Sequence, residues 1–133
     1  MTQIRVSEAA ELLAVSSDTV RRWIESGRLT STKGEGPILV DGADLARLAQ
    51  EIAHPAPVGP VMDESARNRM RGIVTEVLRD GVMAQVSLQV GPYRVVSLMS
   101  REAADELGLE PGVVAVASIK STNVIIGTPG GPA

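Results

Sequence analysis

The sequence predicts an α+β protein, with an N-terminal winged helix-turn-helix followed by a small five-stranded OB-like β-barrel that carries one short helix. Three observations support this prediction. Two short helical patterns joined by a tight turn lie near the N-terminus, a Pro-rich stretch interrupts the middle of the chain, and apolar runs with strand periodicity fill the second half.

Composition limits the classes of protein that the chain can be. Its 133 residues suffice for one ordinary domain or two small ones. Trp23 and Tyr93 are the only aromatic residues, so the cores must be built from Val, Leu, Ile, Ala and Met. The chain has no Cys, which excludes disulfides and thiolate metal sites. A net charge of −3 argues against a broadly basic nucleic-acid coat but leaves room for a local basic face.

The location predicted from the sequence is the cytoplasm. The first residues, Met1 to Arg5, lack the apolar region of a signal peptide, and no apolar run reaches membrane-spanning length. The absence of Cys fits a reducing compartment. We therefore expect a cytoplasmic protein with no membrane association.

Two helices and a turn are predicted for the first part of the chain. The first helix runs to Ala14 with Ser7 as its expected N-cap, and the second starts near Ser17 and ends before Gly27. This arrangement is the outline of a helix-turn-helix. The apolar face of the second helix has a spacing of three and four residues and consists of Val20, Trp23 and Ile24.

A hairpin over residues 28–40 and a third helix ending at Ile52 complete this half, residues 1–53. The run VSEAAELLAVSSDTVRRWIESGRL and the later VDGADLARLAQ resemble excisionase-like and MerR-like winged helix-turn-helix domains. That resemblance implies DNA binding, with the second helix in the major groove. The implied contacts are Ser17 near a phosphate, Thr19, Arg21 and Arg22 in the groove, and Lys33 on the wing. The alternative, that Arg21 and Arg22 are only a solvated face, stays open.

A Pro-rich linker is predicted over residues 54–64, and a flexible tail over 128–133. Between them, residues 65–127 show five strand-like segments. One short helix, capped by Ser100 and ended by Gly108, separates the third segment from the fourth. The five segments are Ile73–Leu78, Ala84–Val90, Tyr93–Met99, Val113–Ile119 and Val124–Ile126.

A hydroxyl, a guanidinium and an amide stand together in Ser65-Ala66-Arg67-Asn68, just before the first predicted strand. Arg and Ser donate hydrogen bonds of the kind that a tetrahedral oxyanion accepts. This motif, in SARNRMRGIVTEV, and the later SLMSREAADELGLEPGVVAVASIKSTNVII resemble the Mop family, also called TOBE domains. The resemblance covers Ser65 to Ile126 and implies that molybdate or tungstate is bound.

The resemblance also implies a set of oxyanion-binding residues: Ser65, Ala66, Arg67, Asn68, Ser100, Ala103, Lys120 and Ser121. Ala103 stands where the family often has a hydroxyl residue, so only its backbone N–H is available. In the family these pockets form between subunits, which implies a homo-oligomer, a dimer or a hexamer. We expect Arg69 and Arg71 to be surface charges.

The function expected from both halves is a molybdate- or tungstate-responsive DNA-binding regulator. Two alternatives stay open: an oxyanion storage or buffering protein with a minor N-terminal module, and an architectural DNA-binding factor whose barrel only oligomerises. An enzyme is the least expected class. The sequence shows no nucleophile–base pair, no metal-ligand set and no phosphate-binding Gly loop, and His54 is isolated.

Overall fold

The computed structural model describes residues 2–32, 34, 36–60 and 64–130. These residues form two compact units, Met1–His54 and Pro55–Ala133. Residues 53–60, between the last helix of the first unit and the gap at 61–63, form neither helix nor strand. None of the helices in the described ranges combines the length and the apolar character needed to cross a bilayer.

The first unit is a helical helix-turn-helix region with a two-stranded sheet. Its two strands pair antiparallel, with Ile4 opposite Val40. The strand at the N-terminus was not expected, because three residues are too few to show an alternating pattern. The elements in chain order are β1 (Gln3–Arg5), α1 (Val6–Leu13), α2 (Ser17–Glu25), β2 (Leu39–Asp41) and α3 (Gly42–Ile52).

The turn between α1 and α2 is closed by backbone hydrogen bonds. Ala14 ends α1 in the left-handed conformation with φ 55°, and the Val15 N–H donates to the Ala10 carbonyl at 3.0 Å. Ser16 then caps α2 by accepting the Thr19 N–H at 3.1 Å. The expected cap of α1 was wrong: Arg5, which has no side-chain cap bond, occupies that position, and Ser7 lies within the helix.

The core of the first unit is aliphatic. Ala9, Val20, Val40 and Leu48 are almost completely buried, and Trp23 packs against them as its spacing predicted. The predicted hairpin is reduced to one bridge between Ser31 and Val40, with hydrogen bonds from the Thr32 N–H to the Leu39 carbonyl and from the Asp41 N–H to the Thr30 carbonyl. Lys33, the predicted wing contact, lies outside the described residues.

The second unit is a curled antiparallel sheet of four strands in the order β5-β4-β3-β6. One short helix follows β5 and packs on β4 and β5, with Ala104 fully buried. The elements are β3 (Asn68–Arg79), β4 (Met83–Val90), β5 (Tyr93–Ser100), α4 (Arg101–Glu106) and β6 (Val114–Ile119), followed by a 3₁₀ turn at Ser121–Asn123.

The strand β3 pairs with two neighbouring strands. Its first part pairs with β6, from Asn68 opposite Ile119 to Ile73 opposite Val114, and its second part pairs with β4. A bulge between Val74 and Glu76 interrupts the pairing with β4. Bulges increase local twist, so this irregularity helps the sheet to curl around its apolar inner face.

The predicted fifth strand is absent from the described part of the chain. Val124–Ile126 forms no ladder, and Ile125 is 93% and Ile126 84% exposed. A strand needs a neighbouring edge to satisfy its backbone groups, and this segment reaches none within its own chain. The unit is therefore a half-barrel, and its inner groove of about 300 Å³ is lined largely by apolar side chains such as Val74, Val86 and Leu109.

Gly72 lies where a side chain has no room. A Cβ at this position would clash with the carbonyl oxygen of Gln89 and with Val90 on β4. We therefore expect Gly72→Ala to lower the free energy of unfolding by about 1–3 kcal/mol through overpacking. Chemical denaturation checks this. Gly81→Ala is the matched control, because a Cβ at Gly81 would meet nothing within 4 Å. Equal stability of the two variants would contradict the close approach.

Candidate oxyanion site and candidate nucleic-acid interface

The pairing of β3 with β6 brings two candidate cations together. Asn68 lies opposite Ile119, so Arg67 and Lys120 are the next residues outward on neighbouring chain segments. Both are exposed, and within the described ranges neither has an ion-pair partner. Two adjacent unpaired positive charges form a site that attracts an anion.

The segment before β3 is anchored on both sides of Arg67. Ala66 is buried to 3% exposure, and the Asn68 side-chain amide donates to the Ile119 carbonyl at 3.2 Å. Ser65 and Arg67 remain exposed. In this motif, Ala66 and Asn68 therefore hold the segment in place, and Ser65 and Arg67 present hydrogen-bond donors.

Arg69 departs from expectation. It was predicted to be a surface charge, but its guanidinium donates to the Glu64 carboxylate at 3.1 Å and to the Glu64 carbonyl at 3.2 Å. Its side chain is only 28% exposed. The prediction was wrong because the partner lies before the strand, at a spacing of five residues that no regular helix or strand pattern indicates. Arg71 is exposed, as expected.

Lys120 and Ser121 lead into the 3₁₀ turn that follows β6. The Asn123 N–H donates to the Lys120 carbonyl at 2.9 Å, while the Lys120 side chain caps nothing. Both residues are exposed. The turn thus fixes the backbone and leaves the ammonium available to a ligand.

Ser100 and Ala103 lie away from this cluster. Ser100 pairs with Met83, next to the end of β3 at Arg79, whereas Asn68 is at the other end. The 12 residues of β3 span roughly 40 Å along the strand at ~3.3 Å per residue. One chain therefore does not bring the predicted residues into a single pocket, but holds them as two groups.

The N-terminus of α4 is already partly satisfied. The Ala103 N–H, implied as an oxyanion donor, donates to the Ser100 hydroxyl at 3.0 Å. The cleft beside Ser100 is lined by one guanidinium, that of Arg101, and by the carboxylates of Glu102, Asp105 and Glu106. Because Arg101 is engaged by the Asp80 carbonyl and by Asp105, an anion bound here needs further positive charge.

The turn before β4 is fixed by a carboxylate. Asp80 accepts the N–H groups of Met83 and Val82 at 2.7 and 2.8 Å. These backbone bonds, with a smaller contribution from the Arg101 guanidinium, lower the pKa of Asp80 below 3.8. Arg101 in turn donates to the Asp80 carbonyl at 3.0 Å, so its guanidinium is occupied by the protein itself.

On the helix α2, both arginines are engaged by residues of the same helix. Arg21 pairs with Asp18 at 3.4 Å, and Arg22 donates to the Thr19 hydroxyl at 3.2 Å. The side chains of Arg21 and Asp18 are 56% and 87% exposed, so solvent or a ligand can replace these contacts. Ser17 is half-buried.

Two further candidates emerge beside α2. Arg5 and Ser7 line a groove of about 290 Å³ together with Ser17 and Arg21, closed on one side by Pro37 and Ile38. Sequence reasoning missed Arg5 because it ends the short strand β1, which no periodicity revealed. The groove collects two guanidinium groups and two hydroxyls, all of which are donors suited to phosphate oxygens.

The two units resemble different families of known proteins. A family profile described as a TOBE domain matches residues 64–126, and one described as a helix-turn-helix domain matches residues 4–52. Molybdenum-pterin-binding protein 3 of Clostridium pasteurianum is 39% identical over 66 residues, covering 49% of this chain and 97% of that protein.

The chain belongs to the TOBE family. Molybdenum-pterin-binding protein MopB of Rhodobacter capsulatus is 38% identical over 66 residues, 49% of this chain and 24% of that protein. A solved structure of the cytoplasmic molybdate-binding protein ModG, with molybdate bound, is 41% identical. It covers 50% of this chain and 48% of that chain, with a TM-score of 0.49. These TOBE relatives are named as molybdenum-binding proteins and not as enzymes.

Proposed function

We propose that the protein is a cytoplasmic DNA-binding regulator that responds to molybdate or tungstate. The observation that carries this proposal is the β3–β6 register, from which we infer that Arg67 and Lys120 are neighbours; neither has an ion-pair partner among the described residues. The names of the TOBE relatives identify molybdate as the anion to test. The helix-turn-helix region supplies the surface for the second partner, DNA.

The chemistry of the site fits binding and not catalysis. Molybdate is a tetrahedral dianion with four acceptor oxygens, so it needs donors and positive charge. Ser65, Arg67 and Lys120 supply these, with Ala66, Asn68 and Ser121 shaping the backbone around them. Tungstate has nearly the same size and the same charge, so the same donors serve both anions. No general acid or base is assigned.

We propose that two copies of the chain complete each pocket. The cationic group at the start of β3 lacks Ser100 and Ala103. In the α4 cleft, Arg101 is engaged by the Asp80 carbonyl and by Asp105, and three carboxylates outweigh its charge. Each group supplies what the other needs, so a pocket between subunits combines them. This implies a homo-oligomer, a dimer or a hexamer.

The unpaired segment supports the same assembly. Val124–Ile126 is apolar and exposed, while the half-barrel leaves an apolar groove open. Exposed apolar surface of this kind marks an interface in soluble proteins. We propose that this segment supplies the fifth strand of an OB-like barrel when copies assemble.

For DNA, we propose that α2 enters the major groove as the core of a winged helix-turn-helix. Thr19, Arg21 and Arg22 would face bases, Ser17 with Arg5 and Ser7 would contact phosphates, and Lys33 would act from the wing. Residues 1–54 carry six Lys or Arg against eight Asp or Glu, so a single unit has little electrostatic affinity. Assembly would bring several weak units onto one DNA.

The response follows from linkage. An oxyanion shared between subunits favours the arrangement that closes its pocket, and DNA half-site spacing favours one arrangement of the first units. If the oxyanion and DNA favour the same arrangement, each raises the affinity for the other; if they favour different arrangements, each lowers it. The factor is the same in both directions.

The double variant Arg67→Ala/Lys120→Ala tests the oxyanion site. Losing two charge-assisted contacts should weaken molybdate binding by about a hundredfold or more, as measured by calorimetry. The control is Arg21→Ala/Arg22→Ala, which removes the same charge from the first unit and should bind molybdate as the parent does. Unchanged binding in the first variant, with a native circular dichroism spectrum, would rule out this site.

Substitutions in the Arg21–Asp18 ion pair of α2 test DNA binding. Asp18→Asn frees Arg21 and removes a negative charge from the proposed DNA face, so affinity should rise about twofold to fivefold. Arg21→Ala should lower affinity by about 1–3 kcal/mol and relax the sequence preference at the base that Arg21 faces.

Glu51→Gln is the control for Asp18→Asn, because it removes the same charge from α3. Fluorescence anisotropy with duplex DNA reports all three affinities. The assignment of α2 fails if Asp18→Asn and Glu51→Gln have the same effect.

A storage or buffering protein is the alternative. Its support is that the C. pasteurianum relative is matched over 97% of its length by half of this chain, so a protein of that kind needs no DNA-binding unit. Storage predicts more than one oxyanion per chain and no change in DNA affinity on adding molybdate. The regulator predicts that molybdate shifts the DNA-binding curve.

A further inference from the structure

A two-point clamp closes the segment that carries the proposed oxyanion donors. The Arg69 guanidinium donates from Nε to the Glu64 carboxylate at 3.1 Å and from Nη2 to the Glu64 carbonyl at 3.2 Å. Glu64 and Arg69 flank residues 65–68 on either side, so their contact turns this segment into a closed loop. Both side chains are mostly covered, at 34% and 28% exposure.

The clamp adds to the two anchors already present. Ala66 is buried, and Asn68 bonds to the Ile119 carbonyl on β6. With Glu64 tied to Arg69, the loop is held at its start, in its middle and at its end. Ser65 and Arg67 are thus presented from a backbone that is fixed before any ligand arrives.

We propose that Arg69 and Glu64 are positioning residues for the oxyanion loop. The inference rests on the proposed function and deepens it. A loop that is already ordered loses less conformational freedom on binding, which raises affinity without a new contact to the ligand. Arg69 itself is not a ligand, because two of its nitrogens already donate to Glu64.

The clamp also has an electrostatic role. Glu64 is adjacent to Ser65, so its carboxylate lies beside a site meant for a dianion. Arg69 neutralises that carboxylate. Removing Arg69 alone would leave an uncompensated negative charge next to the oxyanion, in addition to loosening the loop.

The matched control is on the same strand. Arg71 is two residues further along β3 and is exposed, and its side chain has no hydrogen bond or ion pair among the residues that the structure describes. Arg69→Met and Arg71→Met each remove one positive charge from nearly the same place. If Arg69→Met loses more molybdate affinity than Arg71→Met, the extra loss is due to the clamp and not to the missing positive charge, because exposed charges at this distance are screened.

The test is calorimetric titration of molybdate into the full chain and four variants. We expect Arg69→Met to weaken binding about tenfold or more and Arg71→Met by less than about twofold. The double variant Arg69→Met/Glu64→Gln should recover part of the loss, since the uncompensated carboxylate is gone. Arg69→Lys, which keeps the charge but loses the fork of donors, should bind about threefold more weakly than the parent.

The outcomes are separable. If the parent chain binds no molybdate or tungstate, the proposed function fails and this inference fails with it. If the parent binds and Arg69→Met matches Arg71→Met, only the clamp is wrong. A double variant as weak as Arg69→Met would overturn the electrostatic role of Arg69, whereas full recovery of parental affinity would overturn the ordering of the loop by the clamp. If Arg69→Met does not fold, the molybdate affinity of Arg69→Lys tests the clamp instead. An affinity equal to that of the parent would refute the clamp.

Discussion

The antiparallel ladder between β3 and β6 is the constraint on which the site depends. Its register sets Asn68 opposite Ile119 and thereby brings Arg67 beside Lys120, although more than fifty residues separate them in sequence. Neither cation has a partner among the described residues, so their mutual repulsion is an electrostatic cost that a bound dianion would remove. A slip of β6 along β3 by one residue would move the Lys120 side chain to the opposite face of the sheet and away from Arg67.

The same strand is the basis of our proposal that one chain holds only part of each pocket. At its far end, β3 is adjacent to Met83 and Ser100, where Ser100 caps α4 and acidic side chains line the cleft. The long strand thus separates the cations Arg67 and Lys120 from Ser100 and the Ala103 N–H. The exposed Val124–Ile126 segment and the open apolar groove show the same incompleteness in the packing. Both features are resolved by one assumption, a second copy.

Local signals in the sequence predicted local structure well. The start of the second helix near Ser17, the strand at Ala84–Val90 and the cap at Ser100 match the structure, because each depends on residues within a few positions. Long-range consequences were missed. β3 begins at Asn68 and not at Ile73, since its polar start is stabilised by pairing with β6. The Glu64–Arg69 contact and the failure of the fifth strand to pair likewise depend on tertiary neighbours that periodicity does not reveal.

The most direct test of shared oxyanion pockets is native mass spectrometry of the full chain with and without molybdate, which reports assembly size and bound anions together. We expect molybdate only on assemblies of two or more chains, and we expect its addition to shift the population towards them. A monomer that retains molybdate, or assemblies that never carry it, would show that the pockets are not shared.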